Sequence, residues 1–445
     1  MFDRTALNWL DSWKKRPDRK PLVIRGARQV GKTSLVKLFS RSYAQFIMLN
    51  LDSPGDRMIF DDRRSFQDIL AAIFFLKRKS LDVRDTLIFI DEIQNSAHAV
   101  MLLRYFFEEA PDLHVIAAGS MLESLVHRQL SFPVGRVEYM VLHPCSFREF
   151  LGAMGEEQAL EMADRFPVPE FAHTRLMHLF NQYALTGGMP EVVRHYSEHR
   201  DLTALGRLYG NLVTSYQDDV EKYARNQSMI PVIRHVIRMS FRMAGTRITF
   251  ERFGQSNYRS REVGEAFRAL EQTGLLFLIY PVESQRMPMV PNFRKSPRLQ
   301  VLDTGLLNYY GEVQHEVFRA HDITDAYRGL IAEHIVGQEL LSAVPAIGSS
   351  LHFWTREERN SQAEVDFVVV HEGGIIPVEV KSGAGGKLKS LHLFMAGSPQ
   401  HVAVRFQSAG YSVEKVRLNH DQTFRLVNLP YYLAGQLFSI LDQIA

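Results

Sequence analysis

The first 120 residues alternate between two hydrophobic patterns. Short, continuous apolar runs occupy residues 21–25, 46–51, 86–90 and 114–118. Stretches with apolar residues at helical spacing lie between these runs, at 32–41, 66–79 and 98–109. Buried runs that alternate with amphipathic helices are typical of a parallel sheet covered by helices. The pattern therefore predicts an α/β core, to which we assign residues 1–145.

The rest of the chain predicts three further domains. Residues 146–222 contain no strand-like run and predict a helical lid over 146–225. Residues 229–310 predict three helices followed by two strands, which is the order of a winged helix, assigned to 226–312. The remaining residues predict a second, smaller α/β domain over 313–445. Its predicted elements are a helix at 328–341 and strands at 351–355, 364–370 and 375–380.

Composition limits the class of protein. The chain has 445 residues, of which 46% are hydrophobic and 23% are charged, as in ordinary globular proteins. A lone cysteine, Cys145, excludes an internal disulfide framework. We find neither a signal peptide nor an apolar stretch of the roughly 18 residues that a membrane helix needs, so we expect a soluble cytoplasmic protein without membrane contact.

Charge is unevenly distributed. The formal net charge is only +2, but residues 225–300 hold 13 Lys or Arg against 5 Asp or Glu, a surplus of 8. The third helix of the predicted winged helix begins near Arg259 and Arg261 and carries Arg268 outside its apolar stripe. A second basic row, Arg234, Arg238 and Arg242, follows an i, i+4, i+8 spacing. These arginines are candidate DNA contacts, and solvated helix faces are the alternative.

A nucleotide-binding motif follows the first predicted strand. The motif G-x-x-x-x-G-K-[ST] is matched by Gly26, Ala27, Arg28, Gln29, Val30, Gly31, Lys32 and Thr33, and Ser34 comes next. In such a P-loop, backbone N–H groups surround the β-phosphate at a helix N-terminus. Lys32 would contact the β- and γ-phosphates, and the Thr33 hydroxyl would ligate Mg²⁺. The expected cofactors are ATP and Mg²⁺.

The other half of an ATPase site should lie at the end of a buried strand. The run Leu87–Ile90 ends in Asp91 and Glu92. Asp91 would hold the Mg²⁺ shell, and Glu92 would polarise the attacking water. Ser120, after the strand at 114–118, is a candidate sensor of the γ-phosphate, with a turn serine as the alternative. Arg136 is a candidate arginine finger that would act within the chain or across a homo-oligomer interface, with a solvated surface arginine as the alternative.

Several segments together resemble a prokaryotic family of AAA-type ATPases whose C-terminal half is a domain of unknown function. The segments are GARQVGKTSL, LIFIDEIQN, AAGS, VGRVEYMVLHPCSFREF, YALTGGMPEVV, VLDTGLLNYY, AEVDFVVV and IIPVEVKSG. The similarity covers nearly the whole chain. The resemblance implies an AAA core, a winged helix and a C-terminal α/β fold similar to the PD-(D/E)xK nucleases, the restriction-endonuclease-like fold.

The C-terminal domain carries its own candidate chemistry. Asp366 is followed by Glu379 and Lys381, with apolar strands on both sides. Two carboxylates that hold Mg²⁺ and a lysine that orients water are the set that a metal-dependent nuclease needs. Glu333 on the preceding helix is a further candidate acid, because it faces an apolar stripe, and Glu339 is the fallback. The alternative is a binding platform that keeps the fold and does not cleave.

Two functions fit these observations. The first is an AAA-type ATPase that acts on DNA through the basic winged helix, with a nuclease-like domain that cuts or holds DNA. The second is a nucleotide switch that binds a protein partner and carries an inactive nuclease-like domain. DNA affinity measured against salt concentration separates the two.

Overall fold

The computed structural model describes residues 2–81, 85–119, 133, 135–310, 329–343, 350–358, 361–381, 388–419 and 422–444. Ser120, the candidate γ-phosphate sensor, lies outside the described residues. The chain forms two compact units, which are described separately below. The first contains residues up to 143 together with 272–274, and the second contains 144–271 and most of the chain from 275 onwards.

The first unit is built on a five-stranded sheet. Its strands are β1 (Leu22–Arg25), β2 (Gln45–Asn50), β3 (Thr86–Asp91), β4 (His114–Ala118) and β5 (Glu138–Val141). Every neighbouring pair is parallel, and the spatial order is β2-β3-β4-β1-β5. The first four strands lie where the apolar runs predicted them. The fifth was not predicted, because its four residues form no distinct apolar run.

Among the described residues of this unit, five helices accompany the sheet. They are α1 (Ala6–Lys15), α2 (Lys32–Phe39), α3 (Pro54–Arg57), α4 (Phe66–Leu76) and α5 (Ala97–Glu109). Side chains N-cap two of them: the Ser65 hydroxyl accepts the Asp68 N–H of α4, and the Ser96 hydroxyl accepts the Ala99 N–H of α5, each at 3.2 Å. The core of the unit is aliphatic and aromatic, and all six residues of β3 are buried. A strand buried on both faces positions the residues at its end rigidly.

The second unit begins with the predicted helical segment. Its helices are α6 (Phe147–Ala153), α7 (Glu157–Ala163), α8 (Glu170–Thr186), α9 (Pro190–His199), α10 (Leu205–Asp218) and α11 (Val220–Tyr223). The turn between α8 and α9 has no room for side chains. Gly187 has a φ of +61°, and a Cβ there would lie 2.2 Å from Asp303 Oδ1. The two-glycine turn is therefore needed for packing against a residue more than 100 positions away.

The region predicted as a winged helix contains helices and a ribbon in the predicted order. Its helices are α12 (Met229–Met243) and α13 (Ser260–Gln272), with a short 3₁₀ turn, Phe253–Gln255, between them. Strands β6 (Leu276–Val282) and β7 (Arg298–Val301) form the antiparallel ribbon, and α14 (Thr304–Tyr310) follows.

The ribbon is part of a larger sheet. The later strands are β8 (His352–Glu358), β9 (Ser361–His371), β10 (Gly374–Val380), β11 (Val402–Gln407), β12 (Ser412–Arg417) and β13 (Thr423–Pro430). The sheet order is β12-β13-β11-β10-β9-β8-β6-β7, and β6 pairs in parallel with β8. The ribbon thus forms one edge of the C-terminal sheet. The winged helix and the nuclease-like fold stay predictions.

Three further helices belong to this unit, α15 (Leu330–Ala343), α16 (Lys389–Gly397) and α17 (Leu437–Ile444). Trp354 of β8 and Phe394 of α16 are fully buried, with ring centroids 5.4 Å apart in an edge-to-face contact. Among the described residues, no helix is long and apolar enough to cross a membrane.

Candidate functional site

The predicted P-loop adopts a conformation that suits phosphate binding. Gly26, at the end of β1, has a φ of +143°, and a Cβ at this position would lie 2.3 Å from the Leu142 carbonyl oxygen. Gln29 and Gly31 also have positive φ values, of 66° and 96°. Helix α2 begins directly afterwards at Lys32. The loop therefore curls between a strand end and a helix N-terminus, where backbone N–H groups can converge on an anion.

Arg4, which the sequence did not mark as a site residue, holds this loop in place through hydrogen bonds. The Arg4 guanidinium donates to the Val30 carbonyl oxygen at 3.0 Å and to the His143 carbonyl oxygen at 2.8 Å. Arg4 is buried, at 8% exposure. No motif in the sequence marks it, because the partner carbonyl groups belong to the backbone. Ser34, by contrast, is an exposed residue in the first turn of α2.

The Lys32 ammonium lies inside the loop. Its Nζ donates to the carbonyl oxygens of Gly26 at 2.9 Å and Ala27 at 2.8 Å. Burial lowers the pKa of Lys32 to about 8, and the nearby Glu92 and Asp91 carboxylates oppose that shift. The two hydrogen bonds are to neutral acceptors, which a phosphate oxygen can replace with a stronger charge-assisted bond.

The acidic residues at the end of β3 face the loop. The Thr33 hydroxyl donates to Asp91 Oδ2 at 2.7 Å, so the two oxygens predicted to serve Mg²⁺ are adjacent. Asp91 Oδ1 accepts the Glu92 N–H at 3.2 Å. Burial raises the pKa of both carboxyls. Perturbed acids at the end of a buried strand are typical of a catalytic site.

Glu92 is held in an unusual conformation. Its φ is +53°, in the left-handed region that few non-glycine residues adopt, and its Oε2 accepts a hydrogen bond from the Gln94 side chain. Such strain persists where the surroundings fix a functional side chain. Gln94 is a second contributor that the sequence reasoning missed, although it lies only two residues further on.

These residues fit ATP and Mg²⁺. The loop supplies N–H groups and a cation for phosphate, and Thr33 and Asp91 supply the oxygen ligands that Mg²⁺ prefers. When bound, Mg²⁺ would neutralise charge on the β- and γ-phosphate oxygens. The described residues of the whole chain contain no group of three or more His, Cys, Asp or Glu side chains placed to hold a metal. A P-loop site does not need such a group, because the nucleotide itself provides ligands.

The pKa of Lys32 leads to a pH prediction. Lys32 is charged below a pH of about 8 in the nucleotide-free protein, and it loses its proton as the pH rises through that value. ATP affinity should therefore fall by about tenfold or more between pH 7 and pH 9.5, since a neutral amine loses its charge-assisted bonds. Isothermal titration with a non-hydrolysable ATP analogue measures this. Lys32→Arg is the control, because a guanidinium does not titrate in this range, and an equal fall in that variant would contradict the assignment.

Arg136 lies on the surface of the first unit. Its Nε is 3.1 Å from Glu108 Oε1 on α5, and its side chain is 45% exposed. Glu108 also pairs with Arg104, one turn earlier on the same helix. The guanidinium of Arg136 is thus accessible, and its role as an arginine finger stays a prediction.

The predicted nuclease residues of the second unit gather around a further arginine. The Arg298 guanidinium of β7 lies 3.3 Å from Glu333 Oε2 and 3.8 Å from Asp366 Oδ1, and it also pairs with Glu364. Its Nη1 donates to the Asp366 carbonyl oxygen at 3.1 Å. Arg298 is 6% exposed. The cation nearest to these carboxylates is therefore a protein side chain, which the sequence reasoning missed.

Glu379 and Lys381 lie beside this group. Lys381 Nζ donates to Glu379 Oε1, while Glu379 Oε2 is buried and has no hydrogen-bond partner among the described residues. Asp366 Oδ2 accepts the Val380 N–H at 2.8 Å. Burial and the neighbouring Asp366 raise the pKa of Glu379 to about 7 and that of Glu333 to about 8. The structure thus brings together all four predicted residues, with Arg298 added.

Glu339, the fallback acid, lies in a different environment. Its Oε1 accepts hydrogen bonds from the Tyr183 hydroxyl at 2.8 Å and the Phe147 N–H at 3.0 Å. Burial raises its pKa to about 7. Glu339 therefore ties helix α15 to α6 and α8.

The candidate DNA contacts lie on the surface of the second unit. Arg259, Arg261 and Arg268 are all exposed. None of them forms an ion pair with any residue in the described part of the chain. The side chain of Glu262 accepts the Arg259 backbone N–H at 3.0 Å, which caps the start of α13. The Arg259 guanidinium takes no part in this bond.

Three family models match successive regions of the chain. Residues 18–151 match one described as an AAA domain. Residues 177–316 match a domain of unknown function, DUF8612, and residues 328–432 match another, DUF4143. The first match assigns an AAA domain to the N-terminal region, and the P-loop geometry agrees with it. The match supports the prediction of an AAA-type ATPase core.

Among solved structures, the chain is similar to the Walker-type ATPase paby2304 of Pyrococcus abyssi. It is 15% identical, with a TM-score of 0.43, and the match covers 70% of this chain and 96% of that one. PCH-2 of C. elegans is 12% identical, with a TM-score of 0.29, and the match covers 44% of this chain and 62% of that one. No curated protein matches the chain.

Proposed function

We propose that this chain is an ATPase whose turnover responds to DNA bound at the basic segment, residues 225–300, of its second unit. The observation that supports DNA as the partner is a set of exposed arginines that form no ion pair within the described residues, namely Arg234, Arg238, Arg259, Arg261 and Arg268. Surface arginines in proteins commonly pair with acids on the same helix, as Arg104 does with Glu108. Arginines that stay unpaired within the described residues are available for phosphates.

The chemistry of the ATPase site follows from its hydrogen bonds. Lys32 would exchange its two carbonyl acceptors for phosphate oxygens and stabilise charge on the transferring group. Thr33 and Asp91 would hold Mg²⁺ through the oxygens that now bond to each other. Glu92 would accept a proton from the attacking water or orient it, and Gln94 would hold the carboxylate in place.

The DNA contact is testable by charge removal. Replacing Arg259 and Arg261 with Ala should weaken DNA binding and reduce the slope of log affinity against log salt by about one to two units, because each phosphate contact contributes roughly 0.9 for duplex DNA. Fluorescence anisotropy over a salt series measures both quantities. Arg417→Ala, an exposed arginine on the edge strand β12, is the matched control.

The same experiment tests the alternative partner. A protein-binding switch has no need of phosphate contacts at α13, so its DNA affinity would be weak and unchanged by these substitutions. Unchanged affinity and an unchanged salt slope would therefore favour a protein partner over DNA.

For the C-terminal cluster, we infer a platform that does not cleave. Arg298 supplies a permanent positive charge to Glu333, Glu364 and Asp366, so the carboxylates have a counter-ion that a nuclease would take from a metal. A Mg²⁺ ion held between Glu333 and Asp366 would therefore have to displace the guanidinium. The ion-paired cluster joins β7, β9 and α15.

Removal of the counter-ion should destabilise the second unit. Arg298→Ala leaves buried carboxylates uncompensated, for which we expect a loss of about 3–5 kcal/mol in the free energy of unfolding. Denaturant titration at pH 8 measures it, and Arg247→Ala, at a more exposed arginine that also contacts Glu364, is the milder control. Metal-dependent nicking by the wild-type protein that disappears in Asp366→Asn would contradict the platform.

A further inference from the structure

A cleft opens beside helix α12 of the second unit. It encloses about 340 Å³ and is lined by Ile230, Pro231, Arg234, His235, Arg238 and Tyr258. This volume lies at the lower end of the range typical of small-molecule sites. The lining combines cationic, aromatic and apolar groups, so the cleft suits a ligand that has both a negative charge and a flat, apolar face.

The cationic part of the lining comes from one helix face. Arg234 and Arg238 are one turn apart on α12, and both are exposed. Neither forms an ion pair with any residue that the structure describes. Two adjacent guanidinium groups with no internal counter-ion repel each other, and an anion between them relieves that repulsion.

The aromatic part of the lining is held in place. The rings of His235 and Tyr258 meet edge to face, with centroids 5.5 Å apart and an interplanar angle of 66°. His235 Nε2 lies 2.9 Å from the Phe253 carbonyl oxygen, which fixes the orientation of the imidazole. The ring of Tyr258 is therefore held in place by His235, and the residue is half-buried at the edge of the cleft.

We propose that this cleft binds one unpaired nucleotide of single-stranded DNA. The base would stack against Tyr258 beside the apolar Ile230 and Pro231, and the flanking phosphates would meet Arg234 and Arg238. Base pairing hides the stacking faces inside a duplex, so the cleft selects unpaired strands. The proposal rests on DNA being the partner, and it names the form of DNA. Arg259 directly follows Tyr258 in the chain, so the basic start of α13 comes next to the cleft-lining ring in sequence.

The test compares an oligo-dT strand with a duplex of equal length, by fluorescence anisotropy over a salt series with the full chain. Tyr258→Ala should weaken binding of oligo-dT about tenfold, since stacking on one aromatic ring contributes on that order, and should leave duplex binding unchanged. Tyr258→Phe keeps the ring and should bind like the wild type. The double variant Arg234→Ala/Arg238→Ala should lower the salt slope for oligo-dT by about 1.4, at roughly 0.7 for each phosphate on a single strand.

Controls separate the cleft from general effects. Arg417→Ala removes one exposed charge from the opposite edge of the sheet and should leave both affinities unchanged. Thermal unfolding of each variant detects misfolding, and the exposed arginine pair provides an answer even where Tyr258→Ala unfolds. If the Tyr258 and arginine variants lost the same affinity for oligo-dT as for the duplex, the proposed nucleotide site would be wrong. DNA would still be the partner. No binding of either DNA form by the wild type would overturn both proposals.

Discussion

Glu92→Gln is expected to bind ATP with wild-type affinity and to hydrolyse it at least about a hundredfold more slowly. Positioned general bases contribute about 10² to 10⁴ in rate, and an amide cannot accept the proton of the attacking water. The substitution keeps the size of the side chain and its neighbour Gln94, so the phosphate-binding loop is not disturbed. Release of inorganic phosphate and binding of a fluorescent ATP analogue measure the two quantities.

Lys32→Ala is the matched comparison, because it should fail at the earlier step. It removes the ammonium that lies inside the loop, 2.9 Å from the Gly26 carbonyl oxygen, and with it the main cation for the β- and γ-phosphates. Binding and turnover should both be lost. If Glu92→Gln turns over ATP at the wild-type rate, the residue assigned to water activation is wrong.

Arg136→Ala is expected to lower turnover by about 10³ to 10⁵, the range typical of arginine fingers. Within the described residues, its exposed guanidinium pairs with Glu108 on the surface, so a neighbouring subunit could take it up. Arg104→Ala is the matched control, because Arg104 is also exposed, at 54%, and shares Glu108. Its loss should leave turnover close to the wild-type rate.

Mixing two variants shows whether Arg136 acts across a subunit interface or within its own chain. Arg136→Ala subunits have an intact P-loop, and Lys32→Ala subunits have an intact Arg136. A mixture should recover activity where the two meet, if the protein assembles as a homo-oligomer. Absence of recovery would assign Arg136 a role within its own chain or none.

The parts of the site that the sequence predicted are local ones. Lys32, Thr33 and the Asp91–Glu92 pair lie within a motif or directly after an apolar run, and the structure brings Thr33 and Asp91 into hydrogen-bond contact. The buried strands of the first unit were found for the same reason, since each is a continuous apolar run. Gln94 lay within the same segment and could have been found from its position beside the acidic pair.

The parts that were missed depend on distant residues. Arg298 is separated from Asp366 by 68 positions, and its burial among carboxylates follows from β7 joining the C-terminal sheet. Local pattern placed β7 in a separate ribbon and gave no reason to pair it with acids. Arg4 was missed in the same way, because it acts on backbone carbonyls. Glu339 was the fallback for the helix acid, yet its partners, Tyr183 and Phe147, lie on helices far away in sequence.

The central claim is that bound DNA changes the rate of ATP turnover. Measuring steady-state ATP turnover with and without DNA tests it most directly. Single strands, duplexes and forks should be compared at low and physiological salt, with the Arg259→Ala/Arg261→Ala variant in parallel. We expect DNA to raise turnover several-fold in the wild type, most strongly with single-stranded regions, and to have a reduced effect in the variant. Turnover by an active wild-type enzyme that is the same with and without every DNA form would contradict the claim.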